Sequence, residues 1–337
     1  MMGALARMAE AAGAPPTRLM RDFAALSLGP GRVSLSDYEQ LRLYDESFWG
    51  EADRRAVVGR RRGREIALQA NYRHDCFALA TNRLAAGAYL AAHGLPALPV
   101  EAIYREGLAT PSSHVLRTRD ELRRFLEQTA QRTLVGRPVE GGRVRTIAVE
   151  TPAQLDRLVD EIGEMHAGGY LFQPHLAPHP EVVAVIGRRL AAVRLLTLNS
   201  DHGPKVFRAI WKLPGCVAQL DLRTGEVLRV LAEPTGEGVH RRPRSAASLR
   251  GVRVPDWELV KAAAVEAARL MDGLAFVGWD VAPSEHGPVI LSLTPTPDLV
   301  RFQLVERRGI LDAEFAAFLE GQRRLGAEHA EQLRACW

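Results

Sequence analysis

Lysine is nearly missing from this chain: only Lys205, Lys212 and Lys261 stand among its 44 basic residues. The arginine excess fits phosphate recognition, but a codon bias across a GC-rich genome is the simpler explanation. Two arginine clusters, "GRRRGRE" and "HRRPRS", are the segments that would contact nucleic acid. Aromatic residues make up only 6% of the chain, 40 acidic residues dilute the charge to +4, and no nucleic-acid-binding motif flanks either cluster. The composition therefore argues against a nucleic-acid-binding protein.

Cysteine and long apolar runs are also scarce. Cys76, Cys216 and Cys336 are odd in number and lack metal-ligand spacing, so reduced thiols in a cytoplasmic protein are the simplest interpretation. No apolar run approaches the roughly 20 residues that span a bilayer. The N-terminal segment is interrupted by charges and a Pro-Pro pair, which makes it a poor signal peptide. We therefore expect a cytoplasmic location and no membrane segment.

The 337 residues are enough for about two domains. Apolar residues at helical spacing dominate residues 1–95. Residues 96–187 alternate short strands with helices, as in "TRDELRRFLEQTA" and "YLFQPHL". Residues 188–325 contain successive strand patterns with turn residues between them, followed by helices. The order predicts an α+β protein with a helical N-terminal region, a small α/β unit and a C-terminal unit with an antiparallel sheet, the last two flanking a cleft.

Several local signals refine this prediction. Thr118 is expected to cap a helix, because Glu121 follows at capping-box spacing. The segments "TLVGRPV" and "GRVRTIAVE" predict a hairpin. The helix in "DWELVKAAAVEAARLMDG" is expected to be capped by Asp256 and to stop at Gly273.

A late hairpin, "GWDVAPSEHGPVILSLTPTPDL", carries converging polar side chains at residues 278–299. A three-residue loop at 285–287, with Gly287 in the left-handed position, places Asp280 opposite Ser292. Thr294 then falls on the same face, two residues further on. The hairpin thus presents one carboxylate and two hydroxyls.

The motifs "LFQPHLAPHPEV", "AAVRLLTL", "RVPDWELV" and "FVGWDVAPSEHGPVIL" resemble the ATP-grasp superfamily. Within it they are most similar to the sugar-transfer-associated or α-L-glutamate-ligase-like branch, over residues 36–320. The resemblance implies an ATP-grasp fold in which two α+β units, around 95–175 and 188–305, clamp ATP. It also implies that a carboxylate is phosphorylated to an acyl phosphate, which an amine attacks to give an amide.

The resemblance assigns ATP-binding roles to five positions. Arg83, in "TNRLAAGAYL", and Arg137, in "LVGRP", take the places of phosphate-binding residues. Gly141 and Gly142 stand where the family has a glycine-rich loop over the phosphates, although a plain hairpin turn explains this pair as well. Gln173, in "LFQPHL", would contact the adenine, or is an ordinary edge-strand residue.

Catalysis and metal binding are assigned by resemblance to the C-terminal strands. Arg194 and Arg208 are the candidate catalytic arginines, and Asp280 is the candidate magnesium ligand. Ser292 and Thr294 occupy the positions where the family has metal-binding Glu and Asn. Magnesium binding is therefore expected to be weakened, because the ion prefers carboxylate oxygens.

Structural roles compete with these assignments. Asp280 could be a structural acid paired with a nearby arginine. Arg194 and Arg208 could form salt bridges with Asp221 or Glu226.

Two functions follow from the resemblance. The first is an ATP-dependent carboxylate–amine ligase that uses ATP, Mg²⁺ and a small carboxylic acid or peptide with an amine. The alternative is a degenerate ATP-grasp domain that binds nucleotide or a partner protein without ligation. The helical residues 1–95 cover the core or form a homodimer.

Overall fold

The computed structural model describes residues 2–105, 114–139, 144–165, 169–232, 249–271 and 273–335. The chain divides into a large unit, Met1–Thr81 with Pro178–Trp337, and a small unit, Asn82–Ala177. Sequence patterns had set the helical residues 1–95 apart as a separate region. In the structure the helices up to residue 81 belong instead to the same unit as the C-terminal sheet.

The large unit begins with short helices. They are α1 (Met2–Ala12), α2 (Pro16–Leu28), α3 (Leu35–Gln40), α4 (Glu51–Arg55), α5 (Arg60–Ala70) and α6 (Phe77–Thr81), with a 3-10 turn at His74–Cys76. Ser34 starts α3 through a capping box: its hydroxyl accepts a hydrogen bond from the Asp37 amide, and the Asp37 carboxylate accepts one from the Ser34 amide. The reciprocal bonds satisfy donors that a helix start leaves unpaired.

The small unit is built on a mixed sheet. Its elements are α7 (Arg83–Ala92), β1 (Ala102–Tyr104), β2 (His114–Leu116), α8 (Arg119–Gln128), β3 (Leu134–Pro138), β4 (Arg145–Ile147), α9 (Pro152–Met165) and β5 (Tyr170–Pro174). The described strands lie in the order β2-β1-β5-β3-β4. The predicted hairpin is confirmed, since β3 and β4 are antiparallel neighbours in which Leu134 pairs with Ile147 and Gly136 pairs with Arg145.

Two amphipathic helices bury the apolar face of this sheet. Leu122 and Leu126 of α8 and Ile162 of α9 pack in one core with Tyr104 and Phe172. Thr118 caps α8 by accepting a hydrogen bond from the Glu121 amide, as the sequence predicted.

The rest of the large unit is a six-stranded antiparallel sheet with helices. Its elements are α10 (Pro180–Ile186), β6 (Ala192–Ser200), β7 (Gly203–Leu213), β8 (Cys216–Leu220), β9 (Val227–Ala232), α11 (Trp257–Leu270), β10 (Phe276–Ser284), β11 (Gly287–Thr294), α12 (Val300–Glu306) and α13 (Ala313–Ala335). The strand order in the described residues is β11-β10-β6-β7-β8-β9. The late hairpin is thus β10–β11, and β10 lies beside β6, about 80 residues earlier in the chain.

One face of β6 and β10 changes from apolar to polar along its length. Phe276 pairs with Leu198, and these two side chains and Leu196 lie in the core formed with α5, α12 and α13. Because alternate residues of a strand share a face, the next side chains on this face are Arg194 and Asp280. The polar pair therefore continues the same face on which the core is built.

The start of β10 is held by a buried amide. Asn71, just after α5, accepts a hydrogen bond from the Phe276 amide and donates to the carbonyls of Phe276 and Pro295, each at 2.8 Å. These bonds connect the N-terminal helices to the hairpin that carries Asp280.

The start of α11 differs from the prediction. Asp256 occupies the N-cap position, but it lies in the left-handed region at φ 50°, and its side chain makes no capping hydrogen bond. The helix begins instead where Trp257 is buried against Gly225 and donates its indole N–H to the Leu222 carbonyl. Packing of the indole replaces the capping interaction.

Candidate functional site

Strand pairing gathers one acid, two cations and a hydroxyl on one face of the six-stranded sheet. Asp280 of β10 pairs with Arg194 of β6 on one side and with Ser292 of β11 on the other. Arg194 pairs with Ile210 of β7, and Lys212 follows two residues later on the same face. The predicted placement of Asp280 opposite Ser292 is confirmed. We call Arg194, Lys212, Asp280 and Ser292 the Asp280 cluster.

The hairpin reaches this register by a different route from the predicted one. Strand pairing extends to Ser284 and Gly287, so the loop has two residues rather than three, and Gly287 has the expected positive φ of 100°. A bulge next to Asp280 then skips Leu291, so that Val281 pairs with Ile290 while Asp280 pairs with Ser292. The shorter loop and the bulge compensate each other. Without the bulge, Ser292 would lie one position away from its place opposite Asp280.

Both carboxylate oxygens of Asp280 are engaged. Arg194 donates from Nε to Oδ1 at 2.8 Å and from Nη2 to Oδ2 at 2.6 Å, which is a bidentate fork. Lys212 Nζ lies 3.4 and 3.3 Å from the same two oxygens. Ser292 Oγ donates to Oδ2 at 3.1 Å. These contacts agree with the alternative interpretation, in which Asp280 is a structural acid paired with a nearby arginine.

The electrostatics keep the pair ionised. Burial opposes the charge on Asp280, but the Arg194 hydrogen bonds and the charges of Arg194 and Lys212 outweigh it and hold the pKa of the carboxyl below its ordinary value. Arg194 is likewise buried, yet Asp280 raises the pKa of the guanidinium. The pKa of Lys212 is lowered, first by burial and then by the neighbouring charges of Arg194 and Arg301, despite the attraction of Asp280.

The cluster does not fit a magnesium ion, the metal implied by the superfamily. Magnesium demands near-octahedral oxygen ligation, whereas the Asp280 oxygens already accept bonds from Arg194, Lys212 and Ser292. At equal distances, a divalent cation is attracted to one carboxylate half as strongly as it is repelled by two monovalent cations. Each unit of charge product is worth about 4 kcal/mol at ~4 Å and an effective dielectric constant of about 20. Within the described ranges, no three His, Cys, Asp or Glu side chains form a group that could hold a metal ion.

Arg208 does not join this cluster. It pairs with Leu196 on β6, and its guanidinium contacts Glu306 at 3.2 Å and Asp312 at 2.7 Å, at the end of α12 and just before α13. Arg208 thus lies in a buried ion-pair network, and its contact with a phosphate stays a prediction. Burial, with a smaller contribution from the charge of Asp312, raises the pKa of Glu306 to about 7 although Arg208 opposes the shift.

Arg194 and Arg208 do not form the salt bridges with Asp221 or Glu226 that the sequence suggested as an alternative. Their acidic partners are Asp280, Glu306 and Asp312. Asp221 accepts hydrogen bonds from the amides of Arg223 and Thr224 in its own turn. Glu226 forms an ion pair with Arg253. Both acids lie in the connection between β8 and β9, and β7 separates β8 from β6, the strand that carries Arg194.

The residues assigned to ATP binding belong to the small unit. Arg83 is the first residue of α7, behind the N-cap Asn82. Arg137 lies on β3 opposite Leu171, and Gln173 lies on β5 opposite Val135. Gln173 is buried, and β5 lies between β1 and β3, so the expectation of an edge strand is wrong. Gly141 and Gly142 lie outside the described residues.

Lys212 is the site residue that sequence reasoning missed. It attracted notice only as one of three lysines. The available signal was its spacing, since Lys212 and Arg208 are four residues apart on one strand and therefore share a face. The role of Glu306 carried no sequence signal, because it depends on where α12 packs.

Comparisons with known proteins show a family likeness over part of this chain. Residues 163–316, which contain β6 to β11, match the family model described as sugar-transfer associated ATP-grasp. The predicted resemblance to the ATP-grasp superfamily is confirmed over these residues, and so is the α+β architecture of two sheets with flanking helices. No curated protein matches the sequence significantly.

Solved structures to which this chain is similar include two D-alanine–D-alanine ligases and a biotin carboxylase domain. The D-alanine–D-alanine ligase from Coxiella burnetii is 13% identical with a TM-score of 0.46, over 77% of this chain and 61% of that one. The Bacillus anthracis enzyme complexed with ATP is 12% identical with a TM-score of 0.44, over 74% of this chain and 68% of that one. The biotin carboxylase domain of the Hydrogenobacter thermophilus 2-oxoglutarate carboxylase, in complex with MgADP, is 13% identical with a TM-score of 0.37, over 67% and 45%.

The chain spans about three fifths of the Coxiella burnetii ligase. Among the described residues, no helix combines the length and apolarity that crossing a bilayer requires.

Proposed function

We propose that this protein is an ATP-binding member of the ATP-grasp superfamily that does not catalyse magnesium-dependent ligation. The observation that carries the proposal is the engagement of both Asp280 oxygens by Arg194, with Lys212 against the same carboxylate. A ligase of this superfamily would use this acid, with a Glu and an Asn, to hold metal. Here the acid neutralises protein cations, and hydroxyls stand at the other two positions.

ATP binding is proposed from the family match and from the cationic side chains. Arg194 and Lys212 have one carboxylate between them, so the cluster has a surplus positive charge that suits a phosphate group. Arg137 and Arg83 are proposed as further phosphate contacts. Gln173 is proposed near the adenine, although its buried side chain in a central strand lies 3.5 Å from the Pro99 carbonyl.

Loss of the metal would have a large effect on phosphoryl transfer. The reaction depends mainly on positioning and on electrostatic stabilisation of the transferring group. Each 1.4 kcal/mol of lost stabilisation costs about a factor of ten in rate. A fixed guanidinium donates hydrogen bonds but does not act as a Lewis acid.

A second candidate function is the ligation itself, and it is favoured by one observation. Lys212 lies beside the acid and is partly exposed, so a cation remains within reach of a bound phosphate. In this reaction a substrate carboxylate oxygen attacks the γ-phosphorus of ATP, and ADP leaves. An amine then attacks the acyl phosphate carbon, phosphate leaves with the bonding electrons, and the amine loses a proton. The substrates would be a small carboxylic acid or peptide and an amine.

Calorimetric titration with ATP, followed by an assay of ADP release, tests the proposal. We expect ATP to bind and no ADP to be released with magnesium and a mixed pool of amino acids. Arg137→Met on β3 should weaken ATP binding about tenfold, since it removes one charge-assisted contact. Arg145→Met on the neighbouring β4 is the matched control, because it removes an arginine of the same sheet that has no proposed contact with ATP; Arg145 forms an ion pair with Glu161. ADP release that depends on an amino acid would favour ligation instead, and absence of ATP binding would exclude both functions.

A further inference from the structure

The Asp280 cluster has an excess of positive charge that a metal-binding site would lack. Arg194 and Lys212 contribute two positive charges, and Asp280 contributes one negative charge. Two further charges act on the cluster from just beyond β11, and they have opposite signs: Asp298 acts on Arg194 and Arg301 acts on Lys212. Because these two formal charges are opposite, the five charged groups together carry one positive charge.

Lys212 is the accessible and loosely held member of the cluster. Its side chain is 31% exposed, compared with 17% for Arg194 and 9% for Asp280. Its contacts with the carboxylate, at 3.3 and 3.4 Å, are longer than the 2.6 and 2.8 Å of the Arg194 fork. The ammonium has three N–H donors. It can therefore turn towards an incoming anion while Arg194 alone keeps Asp280 paired.

The hydroxyls at the edge of the sheet suit the same ligand. Ser292 lies opposite Asp280, and Thr294 lies two residues further on the same face, opposite Gly278. Ser292 already donates its one hydroxyl proton to Asp280, so Thr294 is the hydroxyl that can donate a hydrogen bond to a phosphate oxygen. A Glu and an Asn at these two positions would instead supply oxygens for a metal ion. Hydroxyls replace the Glu and the Asn, and the remaining acid, Asp280, is paired with Arg194. Both features favour an anion over a metal ion as the ligand of this site.

We propose that the Asp280 cluster binds the phosphate tail of a nucleotide directly, through Lys212 and the outer edge of Arg194, and without a divalent cation. This inference rests on the proposed function and specifies its chemistry. In it the protein's own cations perform the charge neutralisation that magnesium performs in related ligases. Asp280 holds Arg194 in place and does not coordinate metal.

Binding of ATP and of tripolyphosphate with excess EDTA and with magnesium tests the proposal by titration calorimetry. We expect the affinity for ATP in EDTA to be within about threefold of that with magnesium. Lys212→Met should weaken binding of both ligands about tenfold in EDTA. Lys205→Met is the matched control, because Lys205 lies on the same strand but pairs with Glu314 at the surface.

The variant Asp280→Asn distinguishes metal-free from metal-dependent binding, because the two predict opposite changes in the affinity for ATP with magnesium. If Asp280 pairs with the cations and does not coordinate metal, removing its charge raises the surplus and tightens binding both of tripolyphosphate in EDTA and of ATP with magnesium. If Asp280 is a metal ligand, the same change weakens ATP binding with magnesium. Should this variant fail to fold, Lys212→Met carries the comparison. Binding of wild-type protein to ATP only with magnesium would overturn this proposal and leave the proposed ATP binding intact. No binding under either condition would overturn both.

Discussion

Arg194 and Asp280 are joined across β6 and β10 by two hydrogen bonds of 2.8 and 2.6 Å, although 86 residues separate them in the chain. The fork lies at the point where the apolar face of the sheet ends, so both charges are largely buried. A buried charge without its partner is costly. The pair is therefore a structural element as well as a candidate binding site.

Asp280→Asn should destabilise the protein because it leaves Arg194 and Lys212 without a counter-charge. We expect a loss of about 3 kcal/mol in the free energy of unfolding, at the lower end for a broken buried pair because Lys212 is partly exposed. Urea unfolding followed by circular dichroism measures it. Asp201→Asn is the control, since Asp201 is exposed and lies 4.0 Å from Arg324. It should change stability by less than about 0.5 kcal/mol. Equal effects of the two changes would contradict the structural role.

Ser292→Glu should create magnesium binding, which we do not expect in the wild-type protein. The added carboxylate cancels the surplus charge of the cluster and supplies oxygens that magnesium prefers. We expect magnesium to raise the melting temperature of the variant and not that of the wild type. Ser292→Gln has nearly the same shape without the charge, and it serves as the control. A shift of the same size in Ser292→Gln would show that the charge is not the cause.

Glu306 should make the protein less stable as the pH rises from about 4.5 to about 7. Its pKa is raised from the ordinary 4.5 to about 7, so the folded state holds the proton more tightly than the unfolded state. The stabilisation is complete below 4.5 and is lost as the pH passes through 7, on the order of 3 kcal/mol in total. Asp280 acts in a separate window, because its pKa is lowered from 3.8 and its contribution is lost only below that value.

Unfolding experiments across this pH range test the role of Glu306. Glu306→Gln should flatten the dependence of the free energy of unfolding on pH. Glu314→Gln changes an exposed acid on α13 and should leave the slope as it is in the wild type. A slope that survives in Glu306→Gln would assign the titration to another group.

Asn71→Leu should destabilise the large unit, because it leaves three buried backbone groups without partners at Phe276 and Pro295. Each orphaned group costs about 1–3 kcal/mol, so we expect a total of about 3 kcal/mol or more. Thermal unfolding measures the loss, with the exposed Gln332→Leu on α13 as control. If stability is unchanged, the amide does not hold β10.

Local elements could be predicted wherever neighbouring residues decide them. The capping of α8 by Thr118 and the hairpin of β3 and β4 follow from signals within a few residues. Asp256 is an instructive failure, because it has the residue type of a cap and the correct position. The backbone there is left-handed, and the burial of Trp257 determines how α11 begins.

The candidate site was predicted in part. The position of Asp280 opposite Ser292 was correct because strand periodicity is robust, although the loop is shorter and a bulge corrects the register. The two arginines were expected to act together. They lie on adjacent strands, yet Arg208 meets Glu306 and Asp312 whereas Arg194 meets Asp280. Helix packing at the end of the sheet separates their environments.

The amino-acid sequence alone determined the superfamily, the α+β architecture and which residues of the late hairpin share a face, because motif order, alternation and turn residues are local properties. The tertiary structure alone decided which groups contact Asp280. Its partners Arg194 and Lys212 lie on strands that are far from β10 in the sequence, and strand pairing brings their two positive charges within hydrogen-bonding distance of its carboxylate.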